Sequence, residues 1–267
     1  MLEVSSPNGP GWTIGTWNLE TFSRDRLDPR TANLAAEIES LAPDLLAVQE
    51  LATVDSVDAQ PFDALVAPMP SYDGLHNPWQ SWDTTVGIVY RPDVVTVLSV
   101  EELFVDDPVA FPRPPLRADV RVDSRDLTVI VLHLKAYDDG LERRRDACEA
   151  LDAYVRQALD AAPVILIGDF NDDPNESAQT NAFGPLLAYS FLTGDLPPES
   201  VTETAYWHEV DGEVVAGTFL DHAIATGEVV DLWPNWTARI ASVEESEWDA
   251  WRALYSDHFP VIVTLAR

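Results

Sequence analysis

The sequence of 267 residues holds one cysteine, and its 16 basic residues face 46 acidic ones. Each shortage excludes something. With Cys148 alone, no disulfide closes within the chain, and no cysteine-based zinc or iron–sulfur site can be built. Its apolar, helix-like surroundings read it as a buried structural thiol. Lys135 is the sole lysine, and the formal charge is −30. The summed field of such a surface repels phosphate, which excludes a histone-like or repressor-like binder working by broad counterion release. No apolar run approaches the roughly 18–20 residues that a membrane helix needs. Residues 1–10 have neither the basic nor the apolar region of a secretory signal, so the cytoplasm is the default expectation. Low lysine with excess acid suits a high-salt proteome and a high-GC genome alike.

What is present begins with a 46 % hydrophobic fraction, enough for a sizeable core. No repeat, low-complexity tract or linker divides the chain, so a single domain over residues 1–267 is expected. Residues 12–17, 45–48, 164–167, 219–225 and 259–265 read as strands. Asp28-Pro29 reads as a helix N-cap followed by proline at the first helical position, with the helix running to Leu41. Cys148, Leu151, Val155 and Leu159 give residues 142–159 a helical period. Residues 85–90 and 94–100 flank Arg91-Pro92-Asp93 as across a hairpin turn. A second hairpin joins 116–122 to 127–134. Hairpins mixed with crossovers argue for an α/β sandwich with mixed sheets rather than an all-parallel, doubly wound fold.

Residues able to ligate metal or move protons end these runs again and again: Asn18, Glu50, His133, Asp169, Asn171, Asp221 and Asp257-His258. Strand ends on one sheet edge converge, so such residues can build a single site. Taken singly, each also reads as a turn former or a solvated side chain. The histidines tip that balance. His133 lies between Leu132 and Leu134, where a buried imidazole needs partners for both ring nitrogens. His258 follows Asp257 directly and precedes a strand. His222 falls on the opposite face from Asp221 by strand alternation and reads as structural. His76 and His208 lie in polar, loop-like stretches.

The segments Thr16-Trp17-Asn18, Val48-Gln49-Glu50, His133-Leu134-Lys135, Gly168-Asp169-Phe170-Asn171, Leu220-Asp221-His222 and Ser256-Asp257-His258 occur in this order. Together, over residues 12–265, they resemble the endonuclease/exonuclease/phosphatase superfamily with its deoxyribonuclease-like fold. The resemblance implies a four-layer α/β/β/α sandwich of two mixed, mostly antiparallel sheets flanked by helices. It implies a divalent-metal-dependent phosphoesterase. Asn18, Glu50 and Asp257 would hold Mg²⁺ or Mn²⁺, with Ca²⁺ also suited to oxygen ligands. Asp169 would orient or deprotonate the water, and Asn171 would donate to a phosphate oxygen. His258 would pair with Asp221, and His133 would lie near the leaving oxygen. Arg91 resembles the family's hairpin arginine. Lys135, two residues after His133, would share its strand face. Both are substrate-binding candidates.

Other features narrow the reading. Leu51-Ala52 follows Glu50 where AP endonucleases carry Thr-Lys, the single cysteine does not suit the disulfide-bearing pancreatic type, and inositol-phosphate phosphatases usually present more basic residues. Arg113, Arg117, Arg121 and Arg125 recur every four residues, as a positive stripe or, the favoured reading, as partners of surplus carboxylates. Trp79, Trp82, Trp207, Trp233, Trp236, Trp248 and Trp251 suit either base stacking or, more commonly, core packing. The leading expectation is hydrolysis of phosphodiester bonds in DNA or RNA. The alternatives are a phosphomonoesterase or a lipid or small-molecule phosphodiesterase on the same fold. A non-catalytic binding module is a third class, and the retained polar set speaks against it.

Overall fold

A computed structural model of the chain describes residues 11–22, 28–52, 61–76, 84–177, 179–210 and 213–267. In chain order its first elements are β1 (Gly11–Phe22), α1 (Thr31–Leu41), β2 (Leu45–Ala52), α2 (Pro61–Val66), β3 (Asp73–His76) and β4 (Thr84–Tyr90). Then come β5 (Val95–Glu102), β6 (Leu116–Val122), β7 (Arg125–His133), α3 (Leu141–Ala158), β8 (Val164–Asp169) and β9 (Ser190–Phe191). The remainder is β10 (Glu203–Val210), β11 (Glu213–Thr218), β12 (Asp221–Ala225), α4 (Gly227–Leu232), β13 (Asn235–Ile240), α5 (Trp248–Leu254) and β14 (Val261–Ala266).

Two six-stranded sheets run β13-β14-β1-β2-β4-β3 and β5-β6-β7-β8-β12-β9, and β10 pairs with β11 apart from both. Among the described residues each large sheet has one parallel pair, β1 with β2 and β7 with β8. Each parallel pair is joined through a helix, α1 or α3, as a parallel connection requires. The sheets are thus mixed and mostly antiparallel.

Strand alternation sorts the apolar side chains into three layers of core. Trp12 and Ile14 of β1 and Leu45 and Ala47 of β2 meet Val129 and Val131 of β7 and Ile165 and Ile167 of β8 between the sheets. The outward residues of the second sheet, Ile130, Leu132, Val164 and Leu166, receive Ala147, Cys148, Leu151 and Val155 of α3. The outward residues of the first sheet, Trp17, Leu46 and Val48, receive Leu34 and Ile38 of α1, Phe62 of α2 and Trp251 of α5. The order is helix, sheet, sheet, helix. Cys148 is free and buried. Among the described residues no helix is long and apolar enough to cross a membrane.

Two local expectations change. Residues 91–93 do not turn a hairpin, because β4 belongs to the first sheet and β5 to the second. The amides of Val94 and Val95 both donate to the Arg91 carbonyl, and this coil carries the chain across. Helix α1 begins at Thr31, not beside Asp28-Pro29. The Asp28 carboxylate accepts the Arg30 amide and its guanidinium, which spends the capping group two residues ahead of the N-cap position at Arg30. The helix stops at Ala42, left-handed at φ 51°, directly before Pro43.

Candidate active site

The rows of side chains that fill the space between the sheets continue, at one rim, into polar residues. Asn18 follows Trp12, Ile14 and Thr16 on the inner face of β1, and His133 follows Val129 and Val131 on β7. Asp169 follows Ile165 and Ile167 on β8, and Asp221 precedes Ala223 and Ala225 on β12. Register brings them together: His133 and Asp221 are both the ladder partners of Asp169. Gly168 permits that approach. Its φ is 147°, and a Cβ there would lie 2.0 Å from the Leu132 carbonyl oxygen.

Glu50 arrives differently. Alternation would turn it outward with Leu46 and Val48, but its left-handed backbone, φ 59°, breaks the pattern. Glu20, Thr21 and Asn171 are also left-handed, at 46°, 52° and 53°. Four non-glycine residues in this disfavoured region thus border one rim, the kind of clustering seen where strain serves a site.

The hub is Asp169 Oδ2. It accepts from Asn18 Nδ2 at 3.0 Å and lies 3.4 Å from His133 Nε2 and 4.0 Å from His258 Nε2. Asn18 Nδ2 also donates to Glu50 Oε1 at 3.1 Å, so one amide ties the two sheets' carboxylates together. The Asn18 oxygen accepts the Glu20 amide at 3.0 Å, which fixes which way the side chain points. The Asn171 amide donates to Asp169 Oδ1 at 2.8 Å, and Asn171 Nδ2 donates to the Leu134 carbonyl. His258 Nδ1 pairs with Asp221 Oδ2 at 2.8 Å, and His258 Nε2 lies 4.0 Å from Asp257 Oδ1. The His258 carbonyl accepts both the Trp17 and Trp251 indoles, which holds its backbone in place.

Burial and charge set the protonation states. Burial acts to lower His258, but the charge and hydrogen bond of Asp221, with Asp169 and Asp257, raise it well above the usual imidazole range. Burial and the Arg113 guanidinium hold His133 well below that range, so it is neutral. Burial and the neighbouring Asp221 push Asp169 up to about 7. Burial pushes Asp257 to about 6, helped by Glu20, Glu203 and Glu50 against the opposing charge of His258. Burial also acts to raise Glu50, but His133, Asn18, His258 and Thr21 outweigh it and keep the carboxylate ionised.

This donor set fits a hard cation. It is rich in carboxylate oxygen, its Asp169 and Asp257 are disfavoured as anions until a positive charge arrives, and Asp221 Oδ1 is buried without a hydrogen-bond partner. Ligand atoms of Asp169, Asp221 and His258 lie within 4.8 Å of one another.

Not every candidate arrives at the rim. Arg91 follows Tyr90, the ladder partner of Leu45 at the other end of β2 from Glu50, and it pairs with Asp44 and Asp93. Lys135 does not share a strand face with His133, because β7 ends at His133. Its amine donates to the Ala136 carbonyl, 3.6 Å from Asp139. His222 faces the outer layer, ringed by Phe170, Phe183, Phe191 and Phe219. Its Nε2 meets the Asp172 and Phe219 carbonyls, and Nδ1 meets the Thr193 hydroxyl. Arg117 and Arg121 pair with Asp119, Glu101 and Asp126, and Arg125 lies over the Trp233 ring, so no positive stripe forms. Trp233 and Trp251 are core residues, and Trp236 and Trp248 pack against the core. Trp79 and Trp82, and the side chains of Trp207 and His208, lie outside the described residues.

Two residues stand at the rim in places the sequence reading did not give them. Arg113 precedes β6 rather than lying on it, and its guanidinium donates to the Leu134 carbonyl and feels the charges of Glu50 and Asp169. The prolines on both sides of it were the available signal that the fourfold spacing did not describe a strand. Thr21 donates to Glu50 from both its amide and its hydroxyl. Nothing in the sequence pattern marked it.

Comparison with known proteins bears on the fold and the family. The humanized D. rerio TDP2 superposes with a TM-score of 0.70 over 97 % of this chain and 100 % of its own, at 19 % identity. D. rerio TDP2 complexed with a single-strand DNA product gives 0.70 over 96 % and 99 %, at 19 % identity. The mannosyl-6-phosphatase Bt3783 of Bacteroides thetaiotaomicron gives 0.61 over 96 % and 100 %, at 16 % identity. At these identities the likeness is one of fold. No curated protein matches the sequence. The sequence profile of the Endonuclease/Exonuclease/phosphatase family matches residues 15–258, from inside β1 to the histidine of the Asp221 pair, and the chain belongs to that family of metal-dependent phosphoric ester hydrolases.

Proposed function

We infer that this phosphoesterase is a phosphodiesterase of nuclease type, acting on nucleic-acid strands with Mg²⁺ or Mn²⁺. The observation that carries the reading is the Asn18 amide, which joins Glu50 on one sheet to Asp169 on the other beside the His258–Asp221 pair. A divalent ion is best held on the Glu50 side, with Asp257 in support, because Asp221 Oδ2 and His258 Nδ1 already satisfy each other. When bound, such an ion polarises the phosphoryl oxygen and draws charge from the leaving oxygen. The chain supplies the rest. Asp169, kept in place by Asn18 and the Asn171 amide, orients the water and takes its proton. His258, protonated through Asp221, stabilises the charge that builds on the phosphorane. Neutral His133 stands beside Asp169, ready to donate to the ester oxygen. Asn171 and Arg113 approach the same rim from the second sheet and offer donors to phosphate oxygens.

A second reading is a phosphatase of small phosphorylated molecules. The −30 charge and the neutralised Arg117 and Arg121 favour it, since among the described residues these arginines form no basic track leading away from the site. A panel of plasmid, single-stranded oligonucleotide, bis-p-nitrophenyl phosphate and p-nitrophenyl phosphate separates the two. Turnover of oligonucleotide and diester, lost by orders of magnitude in Asp169→Asn, is expected. Turnover of the monoester alone overturns the nuclease reading.

A further inference from the structure

Near its end strand β1 holds two consecutive left-handed residues, Glu20 and Thr21, and its register against β2 shifts between Asn18 and Phe22 to take them in. Left-handed backbone suits glycine or asparagine; a β-branched residue there is an outlier. The turn is held from outside. Arg30 donates to the Glu20 carbonyl, Arg252 grips the Glu20 carboxylate, and the Asp257 amide donates to the same carboxylate. From inside, its two successive amides point at the two site residues of the first sheet. Glu20 donates to Asn18 Oδ1 at 3.0 Å, and Thr21 donates to Glu50 Oε2 at 2.7 Å. The Thr21 hydroxyl donates to the same Oε2 at 3.0 Å. Two donors occupy the two lone pairs of that oxygen. Oε1 is the oxygen left facing the centre, 3.1 Å from Asn18 Nδ2 and 3.9 Å from His133 Nε2.

A glycine at position 21 would make the same turn without strain and with the same amide. What only serine or threonine adds is the hydroxyl on Glu50. We propose that Thr21 is a positioning residue for the metal centre: its amide and hydroxyl clamp Glu50 Oε2, hold the carboxylate in one orientation and present Oε1 alone to a divalent cation. This rests on the metal-dependent reading above and assigns Thr21 no contact with substrate. It also gives the strained pair a use, since its adjacent amides reach Asn18 and Glu50 together.

The test is direct binding of Mn²⁺ to the chelator-stripped full chain, read by the electron paramagnetic resonance of free Mn²⁺, for wild type, Thr21→Ser, Thr21→Gly and Thr21→Val. Thr21→Ser, which keeps the hydroxyl, is expected to bind within about twofold of wild type. Thr21→Gly and Thr21→Val are expected to bind about tenfold or more weakly, the usual loss when a group supporting a metal ligand is removed. Thr21→Gly relieves strain, so its circular dichroism is expected to match wild type even where Thr21→Val fails to fold. Wild-type affinity in a folded Thr21→Gly overturns the proposal and leaves the metal reading standing. A wild-type chain that binds no Mn²⁺ overturns both.

Discussion

His258 Nδ1 stands 2.8 Å from Asp221 Oδ2, and both residues are buried. An imidazole so deeply buried would be neutral on its own. Asp221 reverses that, and the site gains a cationic donor at neutral pH.

Asp221→Asn keeps the shape and removes the charge. His258 then loses its proton at neutral pH, and kcat is expected to fall by about 10²–10⁴ with the fold unchanged. A proton–nitrogen correlation spectrum of the imidazoles, followed across pH, reads the shift directly. A kcat within twofold of wild type would sink the assignment.

Cation removal should cost stability as well as activity, with a definite pH dependence. Asp169, at about 7 in the folded protein, ionises earlier once unfolded. The folded state therefore binds more protons between about pH 4 and 7, and metal-free stability is lost as pH rises through that window. A cation held by these carboxylates offsets the loss. At a concentration of about 100 times Kd it adds about 2.7 kcal/mol. Melting curves with and without Mg²⁺ should accordingly separate more at pH 8 than at pH 5.

Arg113→Met removes the guanidinium that faces Glu50, Asp169 and His133. KM for a phosphodiester is expected to rise by about tenfold or more, as befits loss of a charged donor. The His133 titration should move up, because a repelling charge is gone. An unchanged KM would assign Arg113 to the Leu134 carbonyl alone.

His222 carries the opposite sign to Asp169. Burial holds it at about 4 in the folded protein, below its unfolded value of about 6.5. Its contribution is complete above pH 6.5 and is lost as pH falls to about 4, by about 3 kcal/mol in all. Urea midpoints of wild type and His222→Asn, measured at pH 4.5 and 7.5, should differ by less at the lower pH.

Much of this was legible in the chain. Alternation placed Asp221 and His222 on opposite faces, and the structure gives one to the rim and the other to an aromatic box. The hairpin read across Asp123-Ser124-Arg125 forms with a tighter turn: Arg125 already pairs with Val122, which leaves Asp123 and Ser124 as the turn, both left-handed. What was not legible depends on departures from periodicity. Arg91 read as a turn residue, but two strands separated by a short loop belong to one sheet only if their hydrogen bonds meet, and here they belong to two. Lys135 was placed by an alternation that stops at His133. Thr21 and the turn at Glu50 are invisible to pattern, because left-handed backbone at threonine and glutamate goes against local preference and is fixed only by the partners it meets.

The Asn18 bridge from Glu50 to Asp169 spans two separately hydrogen-bonded sheets. Neither sheet contains a working site. A folding intermediate with one sheet formed would have native-like secondary structure and no chemistry, so recovery of activity times the docking of the sandwich and not the pairing of its strands. For a chain that carries a hydrolytic centre, this means that hydrolysis begins only once the two sheets have met.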